Sequence, residues 1–178
     1  MPNAGTDEVR KTLAMRRLES RGVAYQPIVF PETIHDALGV AAHAGLPPEL
    51  VYKTLVARVV DPPPRGKPRP LLLMIAAGRT LDLKKAARAA GAKRVEMAPQ
   101  AEAESLTGLK VGGISALALV DRGFPVYLDE PARGLEELVV SAGQRGINLR
   151  LRLDDLISAT GAAWADISRD AEGGAGDV

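Results

Sequence analysis

The stretch from Glu104 to Leu119, ESLTGLKVGGISALAL, limits what this chain can become more than any other. Gly108, Gly112 and Gly113 separate a helix-like segment from a run of small apolar residues, and glycine lets a backbone turn tightly and come close to something else. Successive amides in turn conformations form concavities that accept a carbonyl oxygen or a phosphate. The same spacing fits a hairpin with bulges, the commoner use of turn glycines, and neither the GxGxxG nor the Walker pattern is present. Spacing alone leaves both readings open.

A length of 178 residues suits one domain with a substantial core. A net charge of +1 argues against a protein that coats nucleic acid in general, and no DNA partner is expected. The chain has no cysteine, which removes disulfides, thiolate metal sites and a cysteine nucleophile together and fits a reducing cytoplasm. Its two histidines, His35 and His43, make a metal site unexpected, and both read as surface or packing residues. The segment MPNAGTDEVRKTL lacks the apolar centre of a signal peptide, and no apolar run approaches the ~20 residues that span a bilayer. A cytoplasmic protein without a membrane partner is the expectation.

Taken in order, Thr6 to Arg21 reads as a helix started by Thr6-Asp7-Glu8 and ended by Gly22. Val23 to Phe30 reads as an edge strand, because Pro27 cannot donate to a ladder. Thr33 to Gly45 reads as a helix with His35 and His43 on one face. Val51 to Val60 has the β-branched content of a buried strand. Lys53 within it is either a snorkelling edge residue or, in a cleft, a fixed charge with three donors suited to a phosphate or an oxyanion. DPPPRGKPRP, residues 61 to 70, is a stiff loop leading to the strand LLLMIAA. KKAARAAG is a helix that Gly91 stops. Val95 to Met97 is a short strand, and Pro99 opens a short helix. After the glycines, Ala116 to Val120 and Pro125 to Glu130 read as the two strands of a hairpin. Glu136 to Ser141 and Ile147 to Leu153 read as strands, a last helix ends at Gly161, and residues 170–178 read as a frayed tail after a domain spanning 1–169. Such a series predicts an α/β (α+β) domain with a mixed, curved sheet flanked by helices.

Between Arg58 and Arg94 there are ten Lys or Arg against two Asp. A basic face of this kind is an electrostatic footprint for RNA, and equally a solvated helix face beside a basic loop. With six aromatic residues in the whole chain, an RNA contact would be made with phosphate and sugar more than by stacking.

Four segments, VYKTL (51–55), LDLKKAARAAGAKRVEM (81–97), TGLKVGGIS (107–115) and VSAGQRGINL (140–149), together resemble the YbaK/EbsC family. That family comprises free-standing cysteinyl-tRNA(Pro) deacylases and the related editing insertion of bacterial prolyl-tRNA synthetases. The resemblance is colinear from about Thr12 to about Arg169. It implies a strongly curved, barrel-like sheet and hydrolysis of the ester that joins a wrong amino acid to tRNA, Cys- or Ala-tRNA(Pro), without a cofactor and with prolyl-tRNA synthetase as a further partner. It places the functional lysine at Lys53, the glycine-loop residue at Gly112 and the functional serine at Ser141, with Phe30, Thr107, Gly108, Ser115 and Asn148 as substrate contacts. Three positions depart from the family: Phe30 stands for a tyrosine, Ala116 for a proline and Asn148 for an aspartate.

An aminoacyl ester is already activated, so the protein has mainly to hold its carbonyl against donors and admit a nucleophile. The expectation is that the Gly112 and Gly113 amides polarise that carbonyl and Lys53 binds the terminal adenosine. Ser141 positions substrate, since no histidine partner is evident for a nucleophile. Arg65, Lys67, Lys84, Lys85 and Arg88 are expected to meet tRNA phosphates. The competing reading is a non-catalytic aminoacyl-tRNA- or synthetase-binding module of the same fold; a small-nucleotide phosphate site lacks its fingerprint.

Overall fold

The computed structural model describes residues 10–66 and 69–171. Helix α1 (Leu13–Ser20) starts at Thr12, whose hydroxyl accepts from the Met15 amide at 3.2 Å, while Met15 Sδ accepts from the Thr12 amide. Local capping by Thr12 thus fixes the start of α1. Thr6-Asp7-Glu8 lie outside the described residues.

Strand β1 (Gln26–Val29) leads into α2 (Ala37–Ala44), which is shorter than the composition suggested and leaves His35 in the preceding loop. The two histidines therefore do not share a helix face. After a 3₁₀ turn at Pro48–Leu50 comes the central hairpin of β2 (Tyr52–Asp61) and β3 (Pro70–Ala76). Every residue of β3 is buried, as its unbroken apolar run requires. Strand β4 (Arg79–Leu81) precedes α3 (Leu83–Ala89), whose start is capped by the Asp82 carboxylate accepting from the Lys84 and Lys85 amides. Strand β5 (Arg94–Met97), α4 (Gln100–Thr107) and the glycine stretch follow.

The hairpin expected between Ala116 and Glu130 is absent. Leu117–Arg122 is a 3₁₀ helix ended by Gly123 at φ 67°, and β6 (Val126–Asp129) pairs in parallel with β3, Leu72 opposite Val126. A short apolar run carries no period that separates strand from helix, and burial of Leu117, Ala118 and Leu119 in the core decides for the helical turn. A 3₁₀ segment (Glu130–Gly134) then leads to β7 (Glu137–Gln144) and β8 (Ile147–Arg152), which form an antiparallel hairpin, followed by α5 (Leu153–Thr160), β9 (Ala163–Ala165) and β10 (Ser168–Asp170). Strand β10 pairs with β4, which carries ordered structure to Asp170; the tail from residue 172 lies outside the described residues.

The mixed α/β architecture is as expected, but the β structure is not one barrel-like sheet. A five-stranded sheet runs β5-β2-β3-β6-β9, a three-stranded antiparallel sheet runs β1-β8-β7, and β10-β4 is a separate pair. A single bridge between Val51 and Val139 joins the first two, and apolar clusters fill the space between the elements. The buried Asp129 carboxylate ties β6 to the β10 region, accepting from the Ile167 amide at 3.0 Å and from the Ser168 hydroxyl, while Arg79 reaches the same hydroxyl at 2.6 Å. Burial and that carboxylate push the nearby Tyr52 phenol up to about 12.

Candidate active site

Strand β5 pairs with β2 only from Ala57 onward, so the stretch Tyr52–Val56 leaves one edge uncovered. A cavity of about 480 Å³ opens along it. Its walls come from the loop before α2 (His35, Asp36), from β2 (Lys53, Thr54), from the glycine stretch (Val111, Gly112, Ile114) and from the β7–β8 hairpin (Ser141, Asn148). Lys53, Gly112, Ser141 and Asn148, scattered over 96 positions of sequence, meet here.

Lys53 is half-buried, and its Nζ donates to the Ala77 carbonyl at 3.3 Å, leaving two donors for a ligand. Burial lowers its pKa, and the Asp36 carboxylate across the cavity acts in the opposite direction. Lys53 is thus a partly desolvated charge facing the cavity, where one donor is worth more than on a surface.

The glycine stretch is neither a hairpin nor a row of open amides. Glu104 accepts from the Val111 amide at 3.1 Å, which lowers the Glu104 pKa. The Val111 carbonyl accepts from Arg145 Nε at 2.8 Å, so the loop is fastened on both sides of Val111. Gly112 has φ 92°, a conformation that side chains rarely adopt. Its N–H has no acceptor among the described residues and lies at the cavity. The Gly113 N–H, by contrast, donates to the Lys110 carbonyl at 2.8 Å, so only one of the two amides expected to polarise a carbonyl is open. Gly113 serves packing instead: a Cβ there would lie 2.9 Å from the Arg145 nitrogen and 2.9 Å from the Gln144 carbonyl carbon.

Ser141 and Asn148 are cross-strand partners beside a bulge in β7. The Ser141 hydroxyl oxygen accepts from the Gly143 amide at 3.1 Å, and no histidine or carboxylate among the described residues hydrogen-bonds to it. It is therefore placed to contact a ligand and not activated as a nucleophile. The Asn148 side chain, 7% exposed, has no hydrogen-bond partner among the described residues and lines the cavity.

The other expected substrate contacts lie elsewhere. Phe30 is buried in a cluster with Val40, Val51 and Val139. Thr107 closes α4 through its bond to the Ala103 carbonyl at 2.7 Å, and Gly108, with φ 71°, ends that helix. Both border a different depression, next to Arg17 and Asp121. Ser115 is buried and accepts from the Ala118 amide at 3.2 Å. Their places in one motif suggested a shared site, but the chain turns at Gly112–Gly113 and carries Ser115 into the core. His35 and Asp36, in turn, line the cavity, although nothing in their neighbourhood on the chain connects them with Lys53.

Of the basic residues, Lys85 is engaged by Asp166 at 3.0 Å and by the Ser168 carbonyl at 2.9 Å. Lys84, Arg88 and Arg65 are exposed and make no side-chain ion pair among the described residues; Lys67 lies outside the described residues. Arg65 follows the far end of β2, about 27 Å from Lys53 at the rise of an extended strand. No described helix is long and apolar enough to cross a membrane.

A cavity lined by a half-buried cation and by a glycine whose amide has no acceptor among the described residues is suited to an oxyanion, and the chain is of the class of aminoacyl-tRNA deacylases. The sequence model of the aminoacyl-tRNA editing domain matches residues 31–159, and the chain belongs to that family. It is 35% identical over 161 residues to a protein of Enterococcus faecalis, EbsC, described as a Cys-tRNA(Pro)/Cys-tRNA(Cys) deacylase, with 89% of this chain and 94% of that protein covered. Among solved structures it is similar to one described as a trans-editing enzyme for prolyl tRNA synthetase, at 27% identity and TM-score 0.73, covering 88% of this chain and 97% of the other. The hypothetical protein APE2540, at 23% identity and TM-score 0.77, shares the fold over 88% of this chain and 99% of its own.

Proposed function

We propose that this chain acts in trans on mischarged tRNA(Pro), in the cytoplasm, and hydrolyses its cysteinyl or alanyl ester. The observation that carries this reading is the convergence of Lys53 and Gly112, whose amide has no acceptor among the described residues, on one cavity. In the scheme, water attacks the ester carbonyl, and the Gly112 N–H with the Lys53 ammonium stabilises the oxyanion that forms. The bond to the ribose oxygen then breaks, leaving a free amino acid and a tRNA hydroxyl. The thiol of a cysteinyl substrate is an alternative nucleophile: it displaces the ribose oxygen, which leaves as the tRNA hydroxyl, and water then opens the resulting thiolactone to free cysteine; the chain has no cysteine of its own. Ser141 and Asn148 orient the substrate from the hairpin side. The scheme uses no metal.

A panel of purified mischarged tRNAs, cysteinyl- and alanyl-tRNA(Pro) included, tests the proposal. Hydrolysis above background that depends on Lys53 is the expected result. Binding of these tRNAs without any hydrolysis would favour instead the non-catalytic module, a reading motivated by the departures at Phe30, Ala116 and Asn148. Association with prolyl-tRNA synthetase is part of the proposal, supported by the similarity to a structure described as a trans-editing enzyme for prolyl tRNA synthetase.

The exposed Lys84 and Arg88 carry a further expectation. If they meet phosphates, tRNA affinity falls as salt rises, and neutralising both flattens the log–log slope by about 1 to 2. A slope unchanged in the double variant removes α3 from the tRNA interface.

A further inference from the structure

Asp36 is the one carboxylate that lines the cavity among the described residues. It stands exposed at the start of α2, makes no capping hydrogen bond there, and pairs with no cation among the described residues, so its acceptors are open to a ligand at the rim of the cavity. The backbone makes room for it. A Cβ on Gly39 would come within 2.5 Å of Asp36 Oδ1, so glycine at that position leaves space for the carboxylate where it lies. Lys53 lines the same cavity, close enough for the two charges to influence each other but without an ion pair between them. Asn148, buried and unpartnered, adds a neutral polar group from the hairpin side. The cavity thus presents one anion and one cation held apart.

An aminoacyl ester has the complementary arrangement. Its α-nitrogen is cationic near neutral pH, and its carbonyl oxygen becomes anionic in the transition state. We propose that Asp36 binds the free α-ammonium group of the aminoacyl ester, so that the cavity accepts esters of unblocked amino acids and turns away those whose nitrogen is missing or acylated. This rests on the editing reading above, and it adds a selectivity that the reading does not require. Peptidyl-tRNA carries the same ester linkage but has an amide where the ammonium would be. An amide places no positive charge beside Asp36, and its bulk would be directed at the mouth of the cavity. A deacylase built this way spares the growing chain while attacking the free aminoacyl-tRNA.

The test compares cysteinyl-tRNA(Pro) with 3-mercaptopropionyl-tRNA(Pro), which keeps the thiol and the ester and lacks only the amino group. Each rate is divided by the spontaneous hydrolysis rate of the same ester, which removes the activating effect of the ammonium itself. The wild-type protein is expected to prefer the cysteinyl ester by about tenfold or more, the scale of one hydrogen bond to a charged group. In Asp36→Asn that preference collapses toward unity, with folding checked by circular dichroism, and Asp36→Glu keeps part of it. A wild-type protein that hydrolyses both esters with equal acceleration overturns the inference without touching the editing reading, and this measurement needs no variant. An unchanged preference in a folded Asp36→Asn overturns it as well. Acceleration of neither ester, nor of alanyl-tRNA(Pro) measured beside them, rejects the editing reading and the inference together.

Discussion

Replacing Lys53 by alanine is expected to slow deacylation by about 10²-fold or more, the scale on which a single charge-stabilising donor acts in a water-poor site. The fold should survive. The only hydrogen bond the side chain makes among the described residues, to the Ala77 carbonyl, is long at 3.3 Å, and half-burial of an ammonium costs free energy that alanine does not. Single-turnover deacylation beside a thermal melt separates the two effects: the rate falls and the melting temperature does not. Gly112→Ala approaches the same carbonyl differently. At φ 92° a side chain is strained, and its Cβ would touch Arg145 Nε and the His35 carbonyl at 3.4 Å, which moves the open amide out of line. If both groups serve one oxyanion, the double variant is little slower than the slower single one. Near-wild-type rates in folded Lys53→Ala and Gly112→Ala would place the chemistry elsewhere.

The second large effect is structural. Gly113→Ala would put a Cβ against backbone atoms of Gln144 and Arg145, which cannot rotate away as the end of a side chain can. The loop or the β7–β8 turn has to shift, at a cost of about 2 kcal/mol or more. For a protein of this size the melting temperature should drop by about 4 to 8 °C, and activity should fall with it because the Gly112 amide moves. Gly108→Ala serves as the comparison. Gly108 has a positive φ, which Gly113 has not, but no atom within 4 Å of its Cβ position, so its substitution is expected to cost about 1 kcal/mol and to leave the site in place. Equal effects of the two substitutions would show that the close approach of Gly113 to the Gln144–Arg145 backbone is relieved at little cost.

What the sequence shows well is whatever local chemistry decides. The β-branched run of β2, the helix stop at Gly91, the proline that opens α4 and the alternation of INLRLRL each act within a few residues, and each element stands where its pattern puts it. Family resemblance added Lys53, Gly112, Ser141 and Asn148, which the structure gathers on one cavity although no periodicity links them. The failures have a common physical origin in contacts between distant parts of the chain. Parallel pairing of β6 with β3 depends on a partner about 54 positions earlier, the interval from Leu72 to Val126, and a hairpin was the nearest local alternative. The Gly113 amide looked as free as that of Gly112 until the turn closed on Lys110. Asp36 falls inside the segment Thr33 to Gly45 that reads as helix, and only the fold brings it to the cavity that Lys53 lines.

The seating of Gly113 on the Gln144–Arg145 backbone bears on the order in which this protein is made. During synthesis Lys53 and the glycines leave the ribosome well before the residues that support them. A nascent chain that ends before Arg145 has every group assigned to the oxyanion, but neither the guanidinium that fastens Val111 nor the turn on which Gly113 rests. The β7–β8 hairpin is therefore the last piece of the cradle to leave the ribosome, and the loop gains its support only when that hairpin docks.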